Sequence, residues 1–157
     1  MSSDALSDLV WEQMLMTRMA IHGLAPVTSP TALDRSATIL LARLAADGPM
    51  TVAELSEAFG LDVSTVHRQL AAAIRAGLIE KVRDPDGGVA RKHRPTEEGL
   101  HRLRTEFEGR RASFALVTAD WSPDDVEAFT ALMRRFNESV EEIRGQHWPR
   151  PDGHGSP

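Results

Sequence analysis

Ser64, Thr65, His67, Arg68 and Gln69 crowd into six positions of the stretch "LDVSTVHRQLAAAIRAG". Their chemistry suits reading a nucleic acid. An arginine can donate two hydrogen bonds to a guanine edge, and a glutamine can pair with adenine. Serine and threonine can bond a base or a phosphate, and a histidine can donate or accept. Enzyme chemistry asks for other patterns. The chain has no G-x-S-x-G, G-x-G-x-x-G, phosphate-binding P-loop or H-E-x-x-H run. It has no Cys and no Tyr. The six histidines, His22, His67, His93, His101, His147 and His154, include no i, i+4 pair, so no metal site and no cofactor are expected.

Two helices must hold those side chains. "TVAE" at Thr51 to Glu54 has the form of a capping box, with a Thr hydroxyl facing forward and a Glu reaching back. Leu55 and Phe59 give that helix an inward face, and Gly60 suits a sharp turn. Asp62 then caps the next helix. Val66, Leu70 and Ile74 recur every four residues on one face, so Ser64, Thr65, His67 and Arg68 point elsewhere. "LIEKVRD" and "VARKHR", joined by the turn "DPDGG", predict a β-hairpin directly afterwards. A helix-turn-helix followed by a hairpin is a winged helix, whose second helix can enter the DNA major groove. Thr51, Ser64, Thr65, His67, Arg68 and Gln69 are the expected contacts on the helices. Arg83, Arg91, Lys92 and Arg94 are those on the hairpin, reaching backbone or minor groove. The competing view is an ordinary solvated helix face. The ordered run of cap, turn, cap, polar start and basic hairpin argues against it.

The rest of the chain frames this region. Its 157 residues suffice for one domain with a real core, and 41% are hydrophobic. The net charge is −5. Yet residues 62–94 hold seven bases against four acids, +3, which leaves −8 for the remainder. The bases therefore gather where DNA contact is expected. No apolar run could span a bilayer, and acids stand where a signal peptide would be basic, so a cytoplasmic protein without a membrane partner is expected.

A first helix is predicted from Asp4 to about Ile21, apolar nearly all round, which suggests burial against a second chain. "GLAPVTSPTAL" is a connection, and Asp34 caps "RSATILLARLAADG". After the hairpin, one helix runs from about Thr96 to Ala119. Another opens at "SPDD", with Val126, Phe129, Met133, Phe136, Val140 and Ile143 as an apolar stripe. The tail "QHWPRPDGHGSP" is Pro- and Gly-rich and is expected to be disordered. The fold expected is mainly α with a small β-hairpin wing. Residues 1–33 form a dimerisation helix and linker, 34–95 the winged helix-turn-helix, 96–145 the C-terminal dimerisation helices and 146–157 the tail.

Over residues 5–145 the chain resembles the MarR family of bacterial transcription regulators. The most specific pieces are "GPMTVAELSEAFGLDVSTVHRQL" and "AGLIEKVRDPDGG" with the later "TEEG". The resemblance implies a homodimeric repressor or activator whose terminal helices interlock, with Ser64, Thr65, His67 and Arg68 on the recognition helix. It also implies release from DNA by a small effector, aromatic or anionic. The chain departs from the family at the wing. Gly88-Val89 stands where an Arg usually enters the minor groove, the following strand is "RKHR" instead of apolar, and Pro95 replaces a common Leu.

Trp11, Met14, Leu15, Arg18 and His22 share one helical face by spacing. Trp11 and Met14 could line an effector pocket, with Arg18 or His22 meeting a carboxylate. Such a cluster is more often core. The partners expected are double-stranded DNA, a second copy of the chain and an effector of that kind. The alternative function is a winged-helix protein-interaction module with weak or no specific DNA binding, an idea kept alive by the wing tip.

Overall fold

Five of the helices begin at a side chain that caps them. The computed structural model describes residues 3–18, 33–84 and 87–150. Asp34 accepts from the Ala37 N–H at 2.8 Å and starts α2 (Arg35–Asp47). Thr51 and Glu54 close the expected capping box at α3 (Val52–Phe59). Gly60, at φ 61°, makes the left-handed turn that follows. Asp62 accepts from the Thr65 N–H at 2.8 Å and starts α4 (Val63–Arg75). Thr96 caps α5 (Glu97–Val117), and Ser122 with Asp125 caps α6 (Pro123–Arg144). The first helix, α1, spans Ser3–Arg18. Met19 to Ile21, predicted to extend it, and His22 lie outside the described residues.

One core joins α2, α3, α4, the hairpin and the start of α5. Leu40, Leu41, Leu44, Leu55, Val66, Leu70, Ala73, Leu78, Ile79 and Leu103 are buried together. Thr96 ties α5 to the end of α4: its hydroxyl donates to the Gly77 carbonyl at 2.7 Å and its N–H to Leu78 at 3.0 Å. Gly99 of the "TEEG" run explains itself here. A Cβ at that position would stand 2.1 Å from the Leu78 carbonyl oxygen. Only a residue without a side chain lets α5 approach so closely.

The hairpin pairs β1 (Ile79–Arg83) with β2 (Arg91–Pro95), antiparallel, from Ile79 opposite Pro95 to Arg83 opposite Arg91. Met50, just before α3, adds a bridge that the sequence did not signal. It exchanges backbone hydrogen bonds with His93 at 3.1 and 2.7 Å. His93 is buried behind this bridge.

The terminal helices differ from this core. Neither α1 nor α6 packs extensively on another element. Leu6, Leu9, Val10, Trp11, Met14 and Met16 of α1 are exposed, as are Val126, Phe129, Leu132, Phe136 and Ile143 of α6. Leu15, Met133 and Val140 are half-buried.

Residues 146–150 correct the expectation of a disordered tail that starts at Gln146. They fold back onto the core. Trp148 stacks on Phe59 of α3 with ring centres 5.8 Å apart, and the Arg43 guanidinium of α2 lies 5.2 Å from the Trp148 ring. Arg43 also donates to the His147 carbonyl at 2.8 Å. Arg150 grips both carboxylate oxygens of Glu141, at 2.6 and 3.1 Å, which holds that carboxyl below its usual range. Composition suggested disorder, but one indole and two arginines supply the contacts that oppose it. Residues 151–157 lie outside the described residues.

Candidate nucleic-acid interface

The first turn of α4 projects its polar side chains outward because Val66, Leu70 and Ala73 take the inward positions. Ser64, His67 and Arg68 are exposed, and Thr65 is half-buried. Gln69 is set apart from them. Half-buried, it lines a groove between α2–α3 and α6, with Arg35, Phe59, Asn137 and Trp148. Thr51 is half-buried, its hydroxyl oxygen accepting from the Glu54 N–H at 3.2 Å in the α3 cap.

Asp62 does more than cap. Its carboxylate accepts the Ser64 hydroxyl on one oxygen and the Thr65 hydroxyl, at 2.7 Å, on the other. With the Thr65 N–H, these donors hold the carboxyl well below the usual carboxylate range, the Ser64 hydroxyl contributing most. The sequence signal was an Asp followed at two and three residues by hydroxyls. That pattern is the same one that marks an ordinary helix cap.

The wing divides its bases. Lys92 pairs with Asp84 at 3.2 Å and is half-buried. Arg94 pairs with Glu80, its cross-strand neighbour, at 2.9 Å. Arg83 and Arg91 are exposed and face each other across the strands. Val89, near the tip, is fully exposed.

His93 relates the wing to α4. Burial pushes its pKa down. The Met50 carbonyl, 3.3 Å from Nδ1, opposes that shift, while the positive fields of Lys81 and His67 reinforce it. His67 of α4 and Lys81 of β1 are thus both near enough to act on one imidazole. Side chains alternate along a strand, so Lys81, Arg83, His93 and Arg91 share one face of the hairpin. The two exposed wing arginines therefore lie on the hairpin face that also carries Lys81 and His93.

Trp11, Met14 and Arg18 are exposed on α1, and His22 lies outside the described residues. The groove beside Gln69, about 800 Å³, was not foreseen, because the folded-back residues Gln146, Trp148 and Arg150 form part of its wall. Among the described residues no cluster of His, Asp or Glu could hold a metal ion, and no helix is long and apolar enough to cross a membrane.

Known proteins share this arrangement. Residues 33–88 match the model of the MarR family. The HTH-type transcriptional regulator YxaD of Bacillus subtilis (strain 168) is 35% identical over 107 residues, which cover 68% of this chain and 75% of that protein. Among solved structures, a MarR family protein from Bacillus stearothermophilus superposes with a TM-score of 0.73 at 22% identity, over 89% of this chain and 98% of the other. The PcaV transcriptional regulator from Streptomyces coelicolor, in complex with its natural ligand, gives 0.59 at 24% identity, over 84% and 92%. The two solved structures thus share the overall fold over most of this chain. The chain belongs to the MarR family of winged-helix transcription regulators.

Proposed function

We propose that this regulator is a homodimeric repressor that reads an inverted-repeat operator and leaves it when a small aromatic or anionic effector binds. The observation that carries DNA reading is the exposed polar and basic start of α4, Ser64, His67 and Arg68, in a chain whose wing also exposes Arg83 and Arg91. In this reading Ser64, Thr65, His67 and Arg68 meet base edges, and Arg83 and Arg91 meet the backbone beside them. Lys92 and Arg94 contribute less, because each already faces a carboxylate. Thr51 contributes through the α3 cap. Gln69 turns toward the groove and supports the effector side of the proposal better than base reading.

The exposed apolar faces of α1 and α6 support the dimer. Single exposed apolar residues are ordinary, but rows of them along two helices mark a surface that another chain covers. Residues 1–33 and 96–145 would then form the dimer frame and residues 34–95 the reading head. A two-fold dimer places its recognition helices about 34 Å apart, one DNA turn. Trp11, Met14 and Arg18 become effector contacts only on surfaces completed by the second copy.

Selection of binding sites from a random DNA pool tests this proposal. An enriched inverted repeat with half-sites one turn apart is expected, bound by one dimer. The fully exposed Val89 at the wing tip favours one second reading, a winged helix that binds protein. That reading predicts no enriched DNA and weak binding with a shallow salt dependence.

A further inference from the structure

We infer that Asp62 is a specificity-determining residue that acts through Ser64 and Thr65, making the first turn of α4 a patch of hydrogen-bond acceptors that selects bases carrying an exocyclic amine. The inference rests on the proposal that α4 reads DNA. A hydroxyl has one hydrogen to donate and two lone pairs with which to accept. The Ser64 and Thr65 hydroxyls both spend their hydrogens on Asp62. What remains toward the major groove is oxygen alone: Ser64 Oγ, Thr65 Oγ1 and the outer lone pairs of the Asp62 carboxylate.

Such a patch meets DNA in one way. The start of a helix ordinarily welcomes a phosphate, through its free N–H groups and dipole. Here a carboxylate already occupies that end and accepts the Thr65 N–H at 2.8 Å. A phosphate would face oxygens and a negative charge. A base amine would face acceptors. In the major groove cytosine offers its N4 amine and adenine its N6 amine, whereas guanine and thymine offer carbonyl oxygens at the corresponding place. The patch therefore decides which strand carries the amino base at the contacted position. Arg68, one turn further along the same helix, is the donor that reads guanine. Donor and acceptor duties are split between adjacent turns.

The test compares sites selected from a random DNA pool by the wild type, Asp62→Asn, Ser64→Ala, Thr65→Val and Arg68→Ala. Asparagine caps helices as well as aspartate does, so the fold is kept. Its amide N–H donates to one hydroxyl, whose own hydrogen is then free to face the DNA. The wild type is expected to select adenine or cytosine at one position of each half-site by at least about fivefold. Asp62→Asn is expected to move that preference toward guanine or thymine, and Ser64→Ala or Thr65→Val to flatten it. A uniform gain in affinity for every sequence with Asp62→Asn, and no change in preference, would mean that only a negative charge had been removed, and would overturn the inference. If Arg68→Ala changes the selected site while the three first-turn variants do not, Asp62 is only a cap. If no variant alters the selected site, or the wild type selects none, the reading of α4 itself falls, and this inference with it.

Discussion

Arg83 and Arg91 stand directly opposite each other at the last paired position of the wing, and both are exposed. Like charges across a strand pair cost stability, on the order of 0.2–1 kcal/mol. The two other hairpin bases expected to contact DNA are matched, Lys92 by Asp84 and Arg94 by Glu80. Replacing Arg83 or Arg91 with Ala should leave thermal stability unchanged or slightly raised. It should weaken binding to all DNA sequences alike and reduce the slope of log affinity against log salt by about 1. Lys92→Ala should change that slope less. Equal slopes for the wild type and Arg91→Ala would remove the wing arginines from the interface.

His93 makes folding sensitive to mild acid. Its imidazole is buried, and burial favours the neutral ring. Its pKa in the fold therefore lies below the usual 6.5. Between those two values the unfolded chain binds more protons than the folded one, so stability rises with pH there. The contribution is complete above 6.5 and is lost as pH falls through the folded value. The melting temperature should drop between pH 7 and pH 5, and the drop should shrink in His93→Gln. Parallel pH profiles for the two proteins would assign the acid sensitivity to other groups.

Gly99→Ala should destabilise the chain more than an ordinary Gly→Ala change in a helix, which tends to stabilise. The added carbon would meet the Leu78 carbonyl at 2.1 Å and Leu41 Cδ2 at 3.0 Å, so α5 must shift off the core. A loss of about 1–3 kcal/mol is expected from urea denaturation. A neutral or stabilising effect would show that α5 does not approach Leu78 so closely.

Trp148→Ala should cost about 1 kcal/mol of stability through its stack on Phe59 and its contact with Arg43. Hydrogen exchange at residues near the end of α6 should quicken in the same variant, since 146–150 connect that end to α2 and α3. Unchanged exchange there would mean that the fold-back does not restrain α6.

The winged helix was legible because its signals are local. Asp34, Thr51, Asp62, Thr96 and Ser122 each name a helix start within three residues of chain. The hairpin was equally plain from "DPDGG" between two short runs. What the sequence concealed depends on distant partners. The bridge from Met50 to His93 joins residues 43 apart, and the Gln146 amide reaches the Glu57 carbonyl across 89. No window of neighbouring residues carries such contacts. The orientation of Gln69 was hidden for the same reason, because α2 and α6 set the groove it lines. Asp62 is the opposite case. Its hydroxyl partners lie two and three residues away, but a cap and a positioning carboxylate look identical in a sequence.

The central claim is that α4 reads DNA through Arg68. The most direct measurement is fluorescence anisotropy of the wild type and Arg68→Ala on the selected operator and on a scrambled duplex, at several salt concentrations. The account predicts that Arg68→Ala loses about 1–3 kcal/mol on the operator and much less on the scrambled duplex, with wild-type affinity falling steeply with salt. Equal binding of the two proteins to the operator would contradict it.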